Sequence, residues 1–143
     1  MAKLYRLNST VEFKIDDIIV GVRPLSYDQK MEVQSEMSKA VNGDMSAAMQ
    51  AVIKVLKVAL RKIEGVTYDD EDGNEVDFKL EFDQDGNVEQ HCIDDLLNLP
   101  HSQKLTTLCT SLLNGIPDKV LNEKGDPLEG VSRVKPKAAK KGK

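Results

Sequence analysis

One stretch of the chain, residues 44–63, constrains the fold most because its apolar residues recur at helical spacing. Large apolar side chains stand three or four positions apart, and Val55, Val58 and Ala59 widen the same surface. Such spacing forms one face of an α-helix, which other elements must cover. We therefore predict a central core helix, capped by Asp44, with the apolar positions Met45, Met49, Val52, Ile53, Leu56, Leu60 and Ile63.

Two short runs ahead of this helix have the pattern of strands, and the first of them alternates apolar and polar residues. Residues 11–15 place Val, Phe and Ile at every second position, and residues 18–22 follow the pair Asp16-Asp17. Period-two alternation gives a strand one buried face, so these runs predict a β-hairpin with a tight acidic turn. Arg23-Pro24 ends it, because proline has no backbone N–H to donate.

A first helix is predicted to follow this hairpin. Ser26 and Gln29 fit a capping box, in which each side chain accepts a hydrogen bond from the backbone N–H of the other residue. The helix should run to about Val41 and end at Asn42-Gly43, a sequence that tolerates left-handed backbone.

Period-two alternation returns later in the chain and predicts a second hairpin. Residues 66–68 and 76–82 are the alternating runs, and the Asp-Gly-Asn of residues 72–74 is a turn sequence between them. The exposed face of this hairpin should be acidic.

The remaining pattern predicts two more helices and then an unstructured end. Asn87 caps a short helix, and Pro100 begins a last helix that Asn114-Gly115 ends. From Lys124 onward, glycine, proline and charged residues outnumber large apolar ones. This segment cannot bury enough surface to offset the entropy of ordering it, so we expect disorder.

The length of 143 residues fits one domain with its own core. Aromatic residues are only 4% and Trp is absent, so that core must be aliphatic. No run approaches the roughly 18–20 apolar residues that span a bilayer, and the N-terminus lacks a signal-peptide pattern. We expect a cytoplasmic α+β domain over residues 1–121, with a mainly helical core and two short antiparallel β-hairpins, and a disordered basic extension over residues 122–143.

Charge is segregated along the chain, whose net charge is −4. Between residues 64 and 95 there are thirteen acidic residues and one basic residue, Lys79, whereas residues 124–143 are basic overall. Lys-rich extensions bind phosphate groups by counterion release, so a nucleic-acid-binding regulator is one candidate function. Against it, the basic segment has no aromatic residue to stack on bases, and the acidic body would repel phosphate.

Little in the sequence points to catalysis. His91 and His101 are the only histidines, and the chain has neither a phosphate-binding glycine loop nor an HExxH motif. Cys92 and Cys109 lie in predicted helices without CxxC spacing, which favours buried thiols over a disulfide or a zinc site. Residues 91–95 mix His, Cys and Asp, as the start of a helix commonly does. We expect no enzyme activity and no cofactor.

Two acidic segments, around Gly73 and Gly86, look superficially like calcium-binding loops. With Gly86 at the sixth position of an EF-hand loop, Cys92 stands where a bidentate Glu is required. With Gly73 at that position, Lys79 stands there instead. Hairpin turns explain both segments better, and we expect no structural metal.

Candidate partner-binding residues fall into two sets. Methionines on predicted helices are more often part of the core, yet flexible thioethers also suit a surface that holds a partner loosely. Lysines of the C-terminal extension supply positive charge. The candidates are Met31, Met37, Met45, Met49, Lys135, Lys137, Lys140 and Lys141.

A family resemblance runs in order through most of the chain. It begins with residues 10–15, continues through Val22-Arg23-Pro24-Leu25 and the helix opening Ser26-Tyr27-Asp28, and reaches Leu112-Leu113-Asn114 and a charged end. This arrangement resembles the tail assembly chaperones of long-tailed bacteriophages, a divergent family without a catalytic signature.

The resemblance implies a protein of the infected host's cytoplasm that is absent from the mature virion. It would coat the tape measure protein, keep it soluble and help the tail tube protein polymerise around it. We also expect a homo-oligomer without membrane association. Members are commonly made in two forms, the longer by ribosomal frameshift, and Lys140-Lys141-Gly142-Lys143 can be encoded by slippery heptamers.

A structural phage protein, such as a tail or head–tail joining subunit that stays in the particle, is the main alternative. Tube subunits build long sheets that close into rings, whereas here the largest predicted element is a helix and the predicted strands are short. The sequence therefore favours the chaperone over the structural subunit.

Overall fold

A computed structural model describes residues 4–43, 45–122 and 124–134. Within these residues the chain forms four α-helices, a four-stranded antiparallel sheet and a separate two-stranded antiparallel sheet. The predicted α+β class with two hairpins is confirmed.

The first predicted hairpin consists of β1 (Val11–Ile15) and β2 (Ile18–Val22), paired antiparallel in register. Its two-residue turn places Asp16 at a φ of 53°, a left-handed conformation that aspartate tolerates better than most residues. The apolar positions of β1 are all buried, as the alternation predicts.

Helix α1 (Tyr27–Val41) begins with the predicted capping box. The Gln29 N–H donates to Ser26 Oγ at 3.2 Å, and the Ser26 N–H donates to Gln29 Oε1 at 2.9 Å. Gly43, with a φ of 101°, lies just beyond the end of the helix, where glycine has no steric penalty. The predicted bounds of this helix are confirmed.

Helix α2 (Met45–Ala59) ends four residues earlier than predicted, because Leu60–Glu64 forms strand β3. Strand β3 pairs antiparallel with the edge of β2 that faces away from β1. In this register Ile63 lies opposite Val20 and Leu60 lies opposite Val22. Both residues are buried, but in a strand rather than on a helix. Sheet pairing overrides local helical spacing here, because β2 would otherwise lack a second hydrogen-bonded neighbour. The predicted cap, Asp44, lies outside the described residues.

The expected disorder from residue 122 onward is wrong for the described residues up to 134. Residues Val131–Arg133 form β6, which pairs antiparallel with β1 and completes the order β3-β2-β1-β6. Leu128 and Val131 pack against the core, so the segment buries more apolar surface than its composition suggests. The end of the extension, residues 135–143, lies outside the described residues.

The second predicted hairpin is present but short. Strands β4 (Thr67–Asp69) and β5 (Glu75–Asp77) form the two-stranded sheet, and an isolated bridge joins Phe82 to Val88. Helices α3 (Gln90–Leu97) and α4 (Ser102–Ser111) start slightly later than predicted, and a 3-10 turn at Leu112–Asn114 ends in Gly115.

One continuous aliphatic core joins the sheet to α2, α3 and α4. Leu56 and Phe13 are fully buried within it, and both cysteines are buried as predicted. Among the described residues, none of the helices has the length and apolar character to cross a bilayer.

Candidate partner-binding surfaces

The outward side of helix α1 carries an exposed apolar stripe, formed by Tyr27, Met31, Met37 and Val41. At 100° per residue these positions fall within about 120° of the helix circumference. Val41 is 87% and Tyr27 75% exposed, and both methionines are also exposed. We call these four residues the α1 stripe. An apolar stripe of this width normally faces a partner element.

No other part of the chain that the structure describes covers the α1 stripe. The opposite side of α1 packs on α2, where Glu32 forms an ion pair with Lys54 and Val33 is the only buried residue of the helix. A fifteen-residue helix with one buried side chain is held mainly by its neighbour α2.

The structure separates the predicted partner-binding residues. Met31 and Met37 lie on the α1 stripe and Met49 is 52% exposed on α2, so assigning these methionines to the core is wrong. The side chain of Met45 lies outside the described residues, as do Lys135, Lys137, Lys140 and Lys141.

A groove of about 750 Å³ lies between the β4–β5 hairpin and helix α3. Its apolar lining comes from both sides: Val66, Val76 and Phe78 from the hairpin, and Leu96 and Leu99 from and just beyond α3. All but Leu96 are half-buried, so apolar surface remains open to solvent. We call this feature the acidic groove, because carboxylates stand on both of its sides.

Three acidic residues contribute to the lining of the acidic groove: Glu81 on the hairpin side, Asp95 on α3, and Asp77, whose side chain lies on the other face of β5 from Val76. Lys79 and His91 are the basic residues among its lining. Acidic residues therefore outnumber basic ones in the lining, three to two. The groove therefore combines an apolar floor with a negative potential.

Hydrogen bonds fix the hairpin against the start of α3. Within the hairpin, the Phe78 N–H donates to the Val66 carbonyl at 2.8 Å. Between the hairpin side and α3, the N–H of Glu89, the residue before α3, donates to the Glu81 carbonyl at 2.9 Å. The Glu81 N–H points to Cys92 Sγ at 3.4 Å. Both sides of the groove are thus tied together at one end by backbone groups.

The chemistry around Cys92 does not resemble a nucleophilic site. His91 Nε2 lies 3.7 Å from Cys92 Sγ and 3.5 Å from a Glu81 carboxylate oxygen, so one ring nitrogen faces both groups. A catalytic relay needs the base and the orienting acid on different nitrogens. Burial raises the pKa of the Cys92 thiol, and it raises the pKa of Cys109 to about 12, which disfavours the reactive thiolate in both.

The acidic turns use their carboxylates to hold the backbone. Asp70 Oδ1 accepts the N–H groups of Asp72 and Asn74, and Asp83 Oδ1 accepts those of Asp85 and Asn87. Among the described residues, no group of three or more His, Cys, Asp or Glu side chains is arranged to hold a metal ion.

Sequence reasoning missed a polar clamp at the turn of the first hairpin. His101 Nε2 lies 2.7 Å from Asp17 Oδ1, and Lys104 Nζ lies 2.9 Å from Asp16 Oδ1. The hydrogen bond from His101 lowers the pKa of Asp17. More than eighty residues separate these partners, and no sequence pattern signals such a contact.

The acidic groove was also missed, although both of its sides were predicted as separate elements. Alternation and helical spacing indicate which face of an element is apolar, but not which other element it meets. Comparison with known proteins finds no matching family model, no similar curated protein and no similar solved structure.

Proposed function

We propose that this chain is a non-enzymatic tail assembly chaperone of a long-tailed bacteriophage, which binds the tape measure protein and promotes tail tube assembly. The α1 stripe is the observation that carries the proposal. Large exposed apolar side chains grouped on one face mark an interaction site more often than a free face.

The physical requirement of such a partner fits the α1 stripe. A long, aggregation-prone helical rod stays soluble only while its apolar surface is covered, and a rigid amphipathic helix covers another helix efficiently. Met31 and Met37 add side chains that adapt to different partner shapes along such a rod. The other side of α1 remains charged and attached to α2.

Co-expression with the tape measure protein of the same gene cluster tests the proposal. The wild-type chain should keep the tape measure protein in the soluble fraction and co-purify with it. A double variant, Met31→Glu with Val41→Glu, should lose both effects, because buried carboxylates without partners are costly at an apolar interface. Ser35→Glu with Lys39→Gln lowers the net charge by the same amount on exposed positions of α1 outside the stripe, so it is the matched control and should retain both effects.

Retention in the particle separates the chaperone from its main alternative. A chaperone acting in the host cytoplasm should be present in lysates of infected cells and absent from purified virions by mass spectrometry. Detection at stoichiometric amounts in virions would favour a structural tail or head–tail joining subunit. The chaperone proposal would also be contradicted if this chain did not bind the tape measure protein and each of the two proteins stayed soluble when expressed alone.

The gene itself offers a further check on the proposal. A slippery heptamer at codons 140–143 with an open −1 frame beyond it would support a frameshifted longer form that shares this domain. Its product would appear as a minor, longer species recognised by antibody to the present chain. Self-association is part of the proposal and is measured by sedimentation.

A further inference from the structure

We propose that the acidic groove binds a basic amphipathic helix of a partner protein. The inference rests on the proposed function only in assuming that the partner is a protein. It adds a second contact surface, separate from the α1 stripe, and specifies the chemistry that the partner segment must carry.

The floor of the groove calls for apolar side chains. Val66, Val76 and Phe78 on one side and Leu99 on the other are only half-buried around a volume of about 750 Å³. Volumes in this range accommodate several side chains of a bound segment. Filling the groove with apolar groups would remove the remaining exposed apolar surface from water, which is the main driving force for such binding.

The charges of the groove determine which residues the bound helix must carry beside its apolar stripe. Carboxylates stand on both sides of the apolar floor, Glu81 on the hairpin side and Asp95 on α3. A helix with one apolar stripe carries polar residues on both flanks of that stripe, so lysine or arginine at the flanks reaches both sets of carboxylates. An acidic segment would meet like charge, and a neutral one would desolvate carboxylates without pairing them.

The surroundings of the groove reinforce this choice. The hairpin turn next to it carries three acidic residues, Asp70, Glu71 and Asp72, which are exposed or half-buried. Lys79 and His91 are the opposing charges among the lining residues, too few to reverse the potential. The same potential disfavours phosphate-bearing ligands such as nucleic acid.

Titration of the full-length protein with a designed peptide tests the proposal. The probe is a helical peptide of roughly 14 residues, or four turns, with leucines at helical spacing and lysines on both flanks. It should bind with saturable shifts of the methyl signals of Val66, Val76 and Leu99. The same peptide with glutamate for lysine should not bind.

Two further peptides distinguish the occupants. One replaces the leucines by serine and keeps the lysines. The other is residues 134–143 of this chain, which carry lysines without an apolar stripe. Both should bind at least about tenfold more weakly than the probe. If the serine peptide bound as tightly as the probe, the groove would be a non-specific acidic surface. If residues 134–143 bound as tightly as the probe, the occupant would be a second copy of this chain. Either result overturns the proposal.

A pair of variants with matched charge locates the binding. Glu81→Gln with Asp95→Asn should weaken the probe about three- to tenfold, the effect expected from losing two exposed ion pairs. Glu71→Gln with Asp72→Asn removes the same charge from the nearby turn and should weaken it less than about twofold. Equal weakening by both pairs would assign binding to the general acidic field and contradict the proposal.

The two proposals fail independently. The peptide experiment involves neither the tape measure protein nor the α1 stripe, so its failure would leave the chaperone proposal standing. Conversely, if the stripe variants did not change the solubility of the tape measure protein, the chaperone proposal would fail, and the groove proposal would stand as long as the groove binds the probe.

Discussion

Lys62 on β3 and Glu12 on β1 form an ion pair across β2, with Nζ 2.6 Å from Oε2. Their strands are not neighbours, but both residues are aligned with Gly21 of β2. Because Gly21 has no side chain, Lys62 reaches over β2 to Glu12. Hydrogen bonds to Glu12 and to Glu64 raise the pKa of Lys62. Close approach, rather than an unusual φ, therefore explains the glycine.

We expect Gly21→Ala to destabilise the protein by about 1–3 kcal/mol, as overpacking of a close contact usually does. A Cβ at this position would lie 2.8 Å from Thr10 Cγ2 and 3.1 Å from Lys62 Cβ. Urea unfolding measures the loss. Thr10→Ser removes the nearer methyl group, so the double variant should recover part of the stability. Additive losses in this double-mutant cycle would refute the steric explanation.

Leu56→Ala should lower the free energy of unfolding by about 2–5 kcal/mol, because it leaves a cavity in the core. Leu56 is fully buried in the middle of α2, whereas Met49 on the same helix is 52% exposed. Met49→Ala is therefore the control, and it should change stability by less than about 0.5 kcal/mol. Similar losses for both variants, measured by chemical denaturation, would show that the face assignment of α2 is wrong.

Asp70→Ala should destabilise the protein by about 0.5–1.5 kcal/mol, because Asp70 accepts two backbone hydrogen bonds in the β4–β5 turn. Asp72→Ala, which alters a carboxylate of the same turn, is the control.

Millimolar calcium should leave the melting temperature of the wild type unchanged, since the Asp70 carboxylate already accepts hydrogen bonds from the backbone of the turn. A rise of several degrees that a chelator reverses would indicate specific calcium binding.

His101→Ala should raise the pKa of Asp17 toward its ordinary value of 3.8, because the hydrogen bond from His101 is the main cause of the lowered pKa. Because the pKa of Asp17 is lower in the folded state, its carboxylate adds folding stability at pH values above the ordinary pKa of 3.8. That contribution is lost as the pH falls below 3.8 and through the folded pKa. Carboxyl carbon NMR titration measures the shift.

Lys104→Gln is the control for this experiment, because Lys104 contacts Asp16 rather than Asp17. It should leave the pKa of Asp17 where it is in the wild type. An unchanged pKa of Asp17 in His101→Ala would contradict the role given to this hydrogen bond.

Local pattern predicted several elements of this protein well. The alternation of residues 11–22 predicted the first hairpin, and the capping box at Ser26 and Gln29 predicted the start of α1. Both features depend on interactions between residues close in sequence, so the sequence alone contains the information. The burial of Leu56 followed from its place on the strongest apolar stripe.

Tertiary structure decided the features that depend on distant partners. Leu60–Glu64 continues the apolar spacing of α2 but forms a strand, because β2 offers it a ladder of hydrogen bonds. Val131–Arg133 gains order from pairing with β1, more than a hundred residues earlier. The exposure of Met31 and the meeting of Glu81 with Asp95 at one groove depend likewise on which faces pack together. Sequence determined which faces are apolar; only the packing of the whole chain determined which of them remain open to a partner.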